Sequence, residues 1–179
     1  MHRIVSGIDT LEQHVIEVVL NPERYRPSCC LQCGMKVMWF HGCYYRYPDR
    51  GLESRGRNNP VTILRFICSH CRKTCSRLPS CIPPRRWYTW IVQQWVMLAL
   101  MMGEPLNSVS KRFSPGRRTL QRWMNELREK NNYFRFKLAN HYSELERHPS
   151  FNDYWQHAMA SIGLDNLMAT LDNQGVIVP

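Results

Sequence analysis

Two Cys-x2-Cys pairs around a run of strand-like segments, a change to helical spacing after Trp87, and a two-helix template over 106–130 together predict an α+β protein. It reads as a small N-terminal β zinc ribbon followed by an all-α helix-turn-helix bundle and C-terminal helices. The expected boundaries are 1–27 for an N-terminal helix and linker, 28–86 for the ribbon, 87–130 for the helix-turn-helix, and 131–179 for a helical tail suited to partner contact or dimerisation.

Residues 9–20, "DTLEQHVIEVVL", predict the first helix. Asp9 or Thr10 stands as the N-cap, and Leu11, Val15, Val18 and Val19 are expected on one face. "NPERYRP" (21–27) breaks it with two prolines. Within 28–86, "MKVMWF" (35–40), "CYYRY" (43–47) and "VTILRFIC" (61–68) have strand length and strand composition. Between them, "PDRGLESRGRNNP" (48–60) reads as a polar loop. From Trp87, the residues Trp87, Ile91, Trp95, Leu98 and Met102 form an apolar stripe expected to face a core. "GEP" (103–105) ends that helix, and Pro105 opens the next. Helices are also expected over 117–130, over 133–147 with Phe134, Leu138, Tyr142 and Leu145 in register, and over 151–161 and 164–171.

Cys30-x2-Cys33-Gly34 and Cys68-x2-Cys71 lie 34 residues apart. Each such knuckle offers two thiolates from one tight turn, so two knuckles complete a tetrahedral shell with no open position. The implied cofactor is one structural Zn2+ held by Cys30, Cys33, Cys68 and Cys71. Gly34 falls where the turn calls for a positive φ. Zinc binding in small domains is worth on the order of 10–16 kcal/mol, enough to stabilise a segment too short for a large core. Cys29 is expected just before the knuckle, and Cys43, Cys75 and Cys81 as small buried hydrophobes. His70 should point outward, and His41 can serve as a ligand only if a cysteine is displaced.

Counting Leu106 as position one, Val109, Ser110, Phe113, Leu120 and Trp123 fill the apolar and small places of a helix-turn-helix. "SPG" (114–116) supplies the bend, with Ser114 where glycine is usual. On the second helix Leu120, Trp123, Met124 and Leu127 form the inner stripe. Arg118, Gln121, Arg122 and Asn125 fall opposite it, with Arg117 at the shoulder. These are the side-chain types that read guanine and adenine edges. Lys111 and Arg112 join them as expected DNA contacts, and Arg46, Arg50, Arg55 and Arg57 are expected to grip phosphate from the ribbon's arm.

The net charge of +10 is segregated. Residues 24–137 hold 22 Lys/Arg against 5 Asp/Glu, whereas both ends are acidic. A basic centre between acidic ends fits a polyanion-binding surface. With 44% hydrophobic residues the chain has enough for a packed core. The five central carboxylates, Asp49, Glu53, Glu104, Glu126 and Glu129, are too few and too scattered for a metal-dependent nuclease of RNase H type, and no tyrosine- or serine-recombinase constellation is present. The chain is therefore expected not to be an enzyme. No signal peptide or membrane span is legible, so a cytoplasmic location is expected.

The stretch "NPERYRPSCCLQCG…HG…ILRFICSHCRKTCSRLPSCIPP", with the helices after it, resembles a bacterial family of short transposase-associated proteins of mobile genetic elements. The resemblance covers about 20–130 and matches Cys30, Cys33, Cys68 and Cys71 to the family's metal ligands. His41-Gly42 and Leu78-Pro79 match its framing motifs. Cys75 and Cys81 depart from its usual residues without touching a ligand. It implies an accessory DNA-binding factor for transposition or recombination, acting at element ends or regulatory sites. The partners expected are double-stranded DNA, a transposase or site-specific recombinase of the same element, and a second copy of the chain. The alternatives are a transcriptional regulator, or a zinc-ribbon adaptor that binds proteins in a recombination or transcription complex.

Overall fold

A computed structural model describes residues 2–48 and 58–178. The chain forms two compact units, Met1–Thr89 and Trp90–Pro179, so that segments 1–27 and 28–86 share one unit. The fold is mixed α+β, with four strands in one sheet and seven α-helices among the described residues. None of these helices is long and apolar enough to cross a membrane.

In the first unit the strands are β1 (His2–Val5), β2 (Met38–Arg46), β3 (Val61–Cys68) and β4 (Thr74–Pro79). Their order is β1-β4-β3-β2. β2, β3 and β4 form an antiparallel meander, and β1 adds in parallel beside β4, with Ile4 opposite Leu78. β3 is buried along nearly its whole length. Its even residues Leu64, Phe66 and Cys68 enter one apolar cluster with Tyr25, Cys30 and Met38, and its odd residues Val61 and Ile63 enter another with Leu78 and Ile82. That division is the two-residue period of a strand covered on both faces, and explains the unbroken apolar run "VTILRFIC". The runs expected as separate strands at 35–40 and 43–47 are one strand. A register shift between Phe40 and Cys43 carries Gly42 at φ +91°, a conformation glycine adopts without steric cost.

Helix α1 (Leu11–Leu20) is capped by Thr10, whose hydroxyl accepts from the Gln13 N–H at 3.1 Å. Its inner face differs from the expected one. Val15 and Val19 are exposed, His14 is fully buried, and Leu11 and Val18 are half-buried against the two apolar clusters. The imidazole decides this orientation. Its Nε2 donates to the Thr62 carbonyl at 2.9 Å, so Nδ1 is the acceptor for the Tyr25 hydroxyl at 2.7 Å. One neutral ring thus ties α1 to β3 and to the short 3-10 turn Pro22–Tyr25.

Burial pushes the His14 pKa below its ordinary value, against the smaller opposing effect of the Thr62 hydrogen bond. The unfolded chain therefore takes up the proton first as pH falls. The stabilisation is complete above about pH 6.5, the unfolded value, and declines below it toward the folded pKa. Urea-unfolding midpoints taken at about pH 7.5 and about pH 5.5, either side of the free imidazole pKa, should fall more for the native chain than for His14→Gln. Acid sensitivity elsewhere in the unit cancels in that difference. Equal falls would remove His14 as a cause of pH dependence.

The second unit contains α2 (Trp90–Met101), α3 (Leu106–Phe113), α4 (Arg117–Glu129), α5 (Asn131–Ala139), α6 (Phe151–Ser161) and α7 (Leu164–Asn173). The expected stripe of α2 is the outer one. Trp90, Gln93, Val96, Met97 and Met101 are buried, whereas Ile91, Trp95 and Met102 are more than half exposed, and Trp87 precedes the helix. No charged residue marks an outer face on Trp90–Met101, so spacing alone cannot choose the inner one. The single helix expected over 133–147 is α5 followed by a 3-10 turn, Ser143–Arg147. Phe134, Leu138 and Leu145 are buried, while Tyr142 is half-buried and shares a 3.2 Å hydrogen bond with the Thr170 hydroxyl. Trp155 packs edge-on to Phe134 and donates from its indole N–H to Asn131 Oδ1 at 3.0 Å.

Candidate metal centre and helix-turn-helix face

The two cysteine turns repeat one geometry. In the first, the Cys30 N–H donates to the Met35 carbonyl at 2.7 Å and the Gly34 N–H returns to the Cys30 carbonyl at 2.9 Å. In the second, the Cys68 N–H donates to the Lys73 carbonyl at 2.9 Å and the Arg72 N–H to the Cys68 carbonyl at 3.2 Å. The residue after each second cysteine has a left-handed backbone, Gly34 at φ +73° and Arg72 at φ +59°. The first turn leads into β2, and the second is the β3–β4 connection. The Val37 carbonyl joins them by accepting from the Ser69 N–H and hydroxyl, each at 3.2 Å.

Cys30, Cys33, Cys68 and Cys71 place their four sulfurs within 4.8 Å of one another. Cys30 Sγ lies 3.5 Å from Cys71 Sγ, and Cys33 Sγ lies 3.6 Å from Cys68 Sγ. A tetrahedron with metal–sulfur bonds of about 2.3 Å has edges of about 3.8 Å. These two sulfur pairs are near that edge, so the quartet could hold a metal ion. Hydrogen bonds from the backbone N–H groups of Cys33 and Gln32 bring the Cys30 thiol down to about 6, and the Cys71 N–H heads the causes that lower Cys68. For Cys71 the Lys73 N–H pulls downward, but desolvation and the three neighbouring thiols outweigh it and push the thiol up to about 12. The set is thus primed to ionise in part, and a divalent cation is what makes four adjacent thiolates compatible.

Among the described residues no other cysteine or histidine joins this group. Cys75 is buried in the core and Cys29 and Cys81 are half-buried, with burial pushing the Cys81 thiol up to about 12. Cys43, expected inside, is exposed, because it stands at the β2 register shift. His41 and His70 are exposed.

In the second unit, α3 and α4 are joined by a turn in which Ser114 takes φ +71°. Ser110, the small residue of α3, donates its hydroxyl to the Pro115 carbonyl at 2.8 Å and holds that turn. Val109, Leu120, Trp123, Met124 and Leu127 are buried, whereas Arg117, Arg118, Gln121, Arg122 and Asn125 are all exposed. A groove of about 570 Å³ runs along Arg118, Gln121, Arg122 and Asn125 and continues past Glu126, Glu129 and Lys130. In the sequence Glu126 and Glu129 stood only among the scattered central carboxylates, although four-residue steps from Arg122 and Asn125 place them on this face. The face is cationic at its N-terminal half and mixed beyond, where Lys130 pairs with Glu126 at 3.4 Å. Lys111 is exposed, and Arg112 pairs with Glu104 at 2.9 Å while lying over the Phe113 ring.

Arg46 departs from the phosphate-gripping role expected of it. Its guanidinium is half-buried and donates to the backbone carbonyls of Pro83 and, at 2.7 Å, Arg86. Arg50, Arg55 and Arg57 lie outside the described residues.

The chain thus combines a sheet unit holding a four-cysteine cluster with a helical unit in which a tight turn joins α3 and α4. The chain belongs to the family described as Domain of unknown function (DUF6431), which matches residues 30–123. That span opens on the first clustered cysteine and closes on the buried tryptophan of α4. No curated protein and no solved structure matches the chain.

Proposed function

We propose that the protein is a non-catalytic DNA-binding factor stabilised by one zinc ion. The observation that carries this reading is the division of α4. One face is buried through Leu120, Trp123, Met124 and Leu127, and the other exposes Arg117, Arg118, Gln121, Arg122 and Asn125. Arginine is suited to a bidentate pair with guanine and asparagine or glutamine with adenine. Recognition helices of this kind place their N-terminal residues on base edges. Glu129 favours the same orientation, because its charge disfavours phosphate near the C-terminal half, where Glu126 is paired with Lys130 at 3.4 Å. For the metal, zinc suits a closed thiolate quartet, and the ribbon is the architecture that two such knuckles serve. The role as an accessory factor of a mobile element, with a transposase or recombinase as partner, rests on the sequence resemblance alone.

Replacing Arg122 by alanine tests the reading. In a binding-site selection followed by gel shifts, Arg122→Ala should weaken specific binding roughly ten- to a hundred-fold and relax preference at one base position. Non-specific binding and thermal stability should hardly change, since the side chain is exposed. Full affinity for an unchanged site would remove α4 as the reader. The adaptor alternative draws support from the outer face of α1, where Ile16, Val19 and Leu20 are exposed. Salt separates the two readings, because DNA affinity falls steeply with ionic strength and an apolar protein contact does not.

A further inference from the structure

We infer that the sheet unit carries a second nucleic-acid site, a groove at the end of β2 that takes the unpaired bases of single-stranded DNA by stacking. The groove encloses about 410 Å³, and its walls are Tyr44, Tyr45 and Tyr47 on one side and the segment Arg85–Trp87 on the other. Tyr45, Tyr47 and Trp87 are 71%, 54% and 47% exposed. Three large rings thus keep about half or more of their surface exposed around one small concavity, where burial against a core is the usual fate of such side chains.

The groove is built rather than incidental. Arg46 donates to the carbonyls of Pro83 and Arg86, which fastens the opposite wall to the strand. Arg85, an exposed residue of that wall, is held at φ +59°, a left-handed conformation that a non-glycine residue adopts only where its surroundings impose it. Among the described residues no carboxylate lines the groove. Flat aromatic faces beside arginine form the platform on which single strands bind without regard to sequence: each base has a face to stack, and the cation meets the phosphate. A proline-rich peptide also docks between aromatic rings. It offers Arg85 no negative charge, so the arginines favour the nucleic acid.

This site is separate from α4 and does not depend on it. The test is fluorescence anisotropy of a labelled oligothymidylate of about 12 nucleotides, within the span that one small binding fold covers, titrated with the full metal-loaded chain. Tyr45→Ala and Trp87→Ala should each weaken binding roughly five- to a hundred-fold, and Trp87→Phe should retain most of it. Arg85→Ala should flatten the salt dependence by about 0.7 in log–log slope, the loss of one single-strand phosphate contact. Metal content measured on each variant confirms that the sheet unit is intact. Binding to duplex DNA should be the same for Tyr45→Ala and the native chain, and Arg122→Ala run beside them lets either site fail alone. An abasic oligonucleotide bound as tightly as oligothymidylate would overturn the inference. So would unchanged affinity in both aromatic variants, or capture of a proline-rich peptide with no single-strand binding.

Discussion

Removing the metal, or replacing Cys30 by serine, is expected to unfold the sheet unit. The effect should be large because the cluster belongs to the core. Cys30 and Cys68 are buried among Tyr25, Met38, Leu64 and Phe66, so an ion held by the quartet would fix the first cysteine turn and the β3–β4 connection from within that cluster. Structural zinc sites in small domains contribute on the order of 10–16 kcal/mol, against a total stability of about 5–15 kcal/mol for an ordinary domain. Without an ion, four sulfurs within 4.8 Å repel one another as they ionise. Metal analysis should find about one equivalent in the native protein and in Cys43→Ser, whose thiol is exposed and outside the cluster. Cys30→Ser and Cys71→Ser should carry none and lose the near-ultraviolet signal of the buried aromatics. Two equivalents in the native protein, or a folded metal-free Cys30→Ser, would refute the assignment.

The second large effect is expected at Trp123. Only 1% of this side chain is exposed, and it lies on α4 between Leu120 and Leu127, opposite the face that carries Arg118 and Arg122. Truncation to alanine should cost ~3–5 kcal/mol, the sum of lost apolar transfer and the cavity left behind. That is comparable with the whole stability of a small helical unit. Trp123→Ala should therefore lower the thermal midpoint by many degrees and abolish duplex binding, yet keep its metal, because the cysteines belong to the other unit. Trp123→Phe should fall between. This pattern is the reverse of the one expected for Arg122→Ala, which loses specificity and keeps stability. A Trp123→Ala protein that melts near the native temperature would show that the α4 core is not the source of the helical unit's stability.

Legibility in the sequence followed local chemistry. The cysteine spacing pointed to four residues that the structure brings together, because a Cys-x2-Cys turn is closed by its own backbone hydrogen bonds. The α4 faces were readable because arginines and amides alternate with leucine, tryptophan and methionine at helical spacing. Ser114, noted as standing in a glycine place, does take the left-handed backbone. What escaped was decided at long range. α2 has no charge to mark its outer face, so its two apolar stripes looked alike and the wrong one was assigned inward. His14 carried no apolar signal, and its burial depends on Tyr25 and on Thr62, 48 positions away. β1 and β4 are short and partly polar, and their pairing cannot be inferred from either segment alone. Arg46 looked like any arginine of a basic arm until Pro83 and Arg86 placed their carbonyls beside it.

The parallel pairing of β1 with β4 also sets an order of assembly during synthesis. The hairpin of β2 and β3, and then β4, are contiguous along the chain and can pair as they leave the ribosome. β1 cannot, because its partner residues, Ser76 to Pro79, are made long after it. β1 thus docks only after β4 has been made. Until residue 79 has emerged, the nascent chain has its cysteine turns and the β2–β3 hairpin within reach, but β4 is incomplete and β1 lacks its full partner. The N-terminal residues then act as a latch that closes the finished unit.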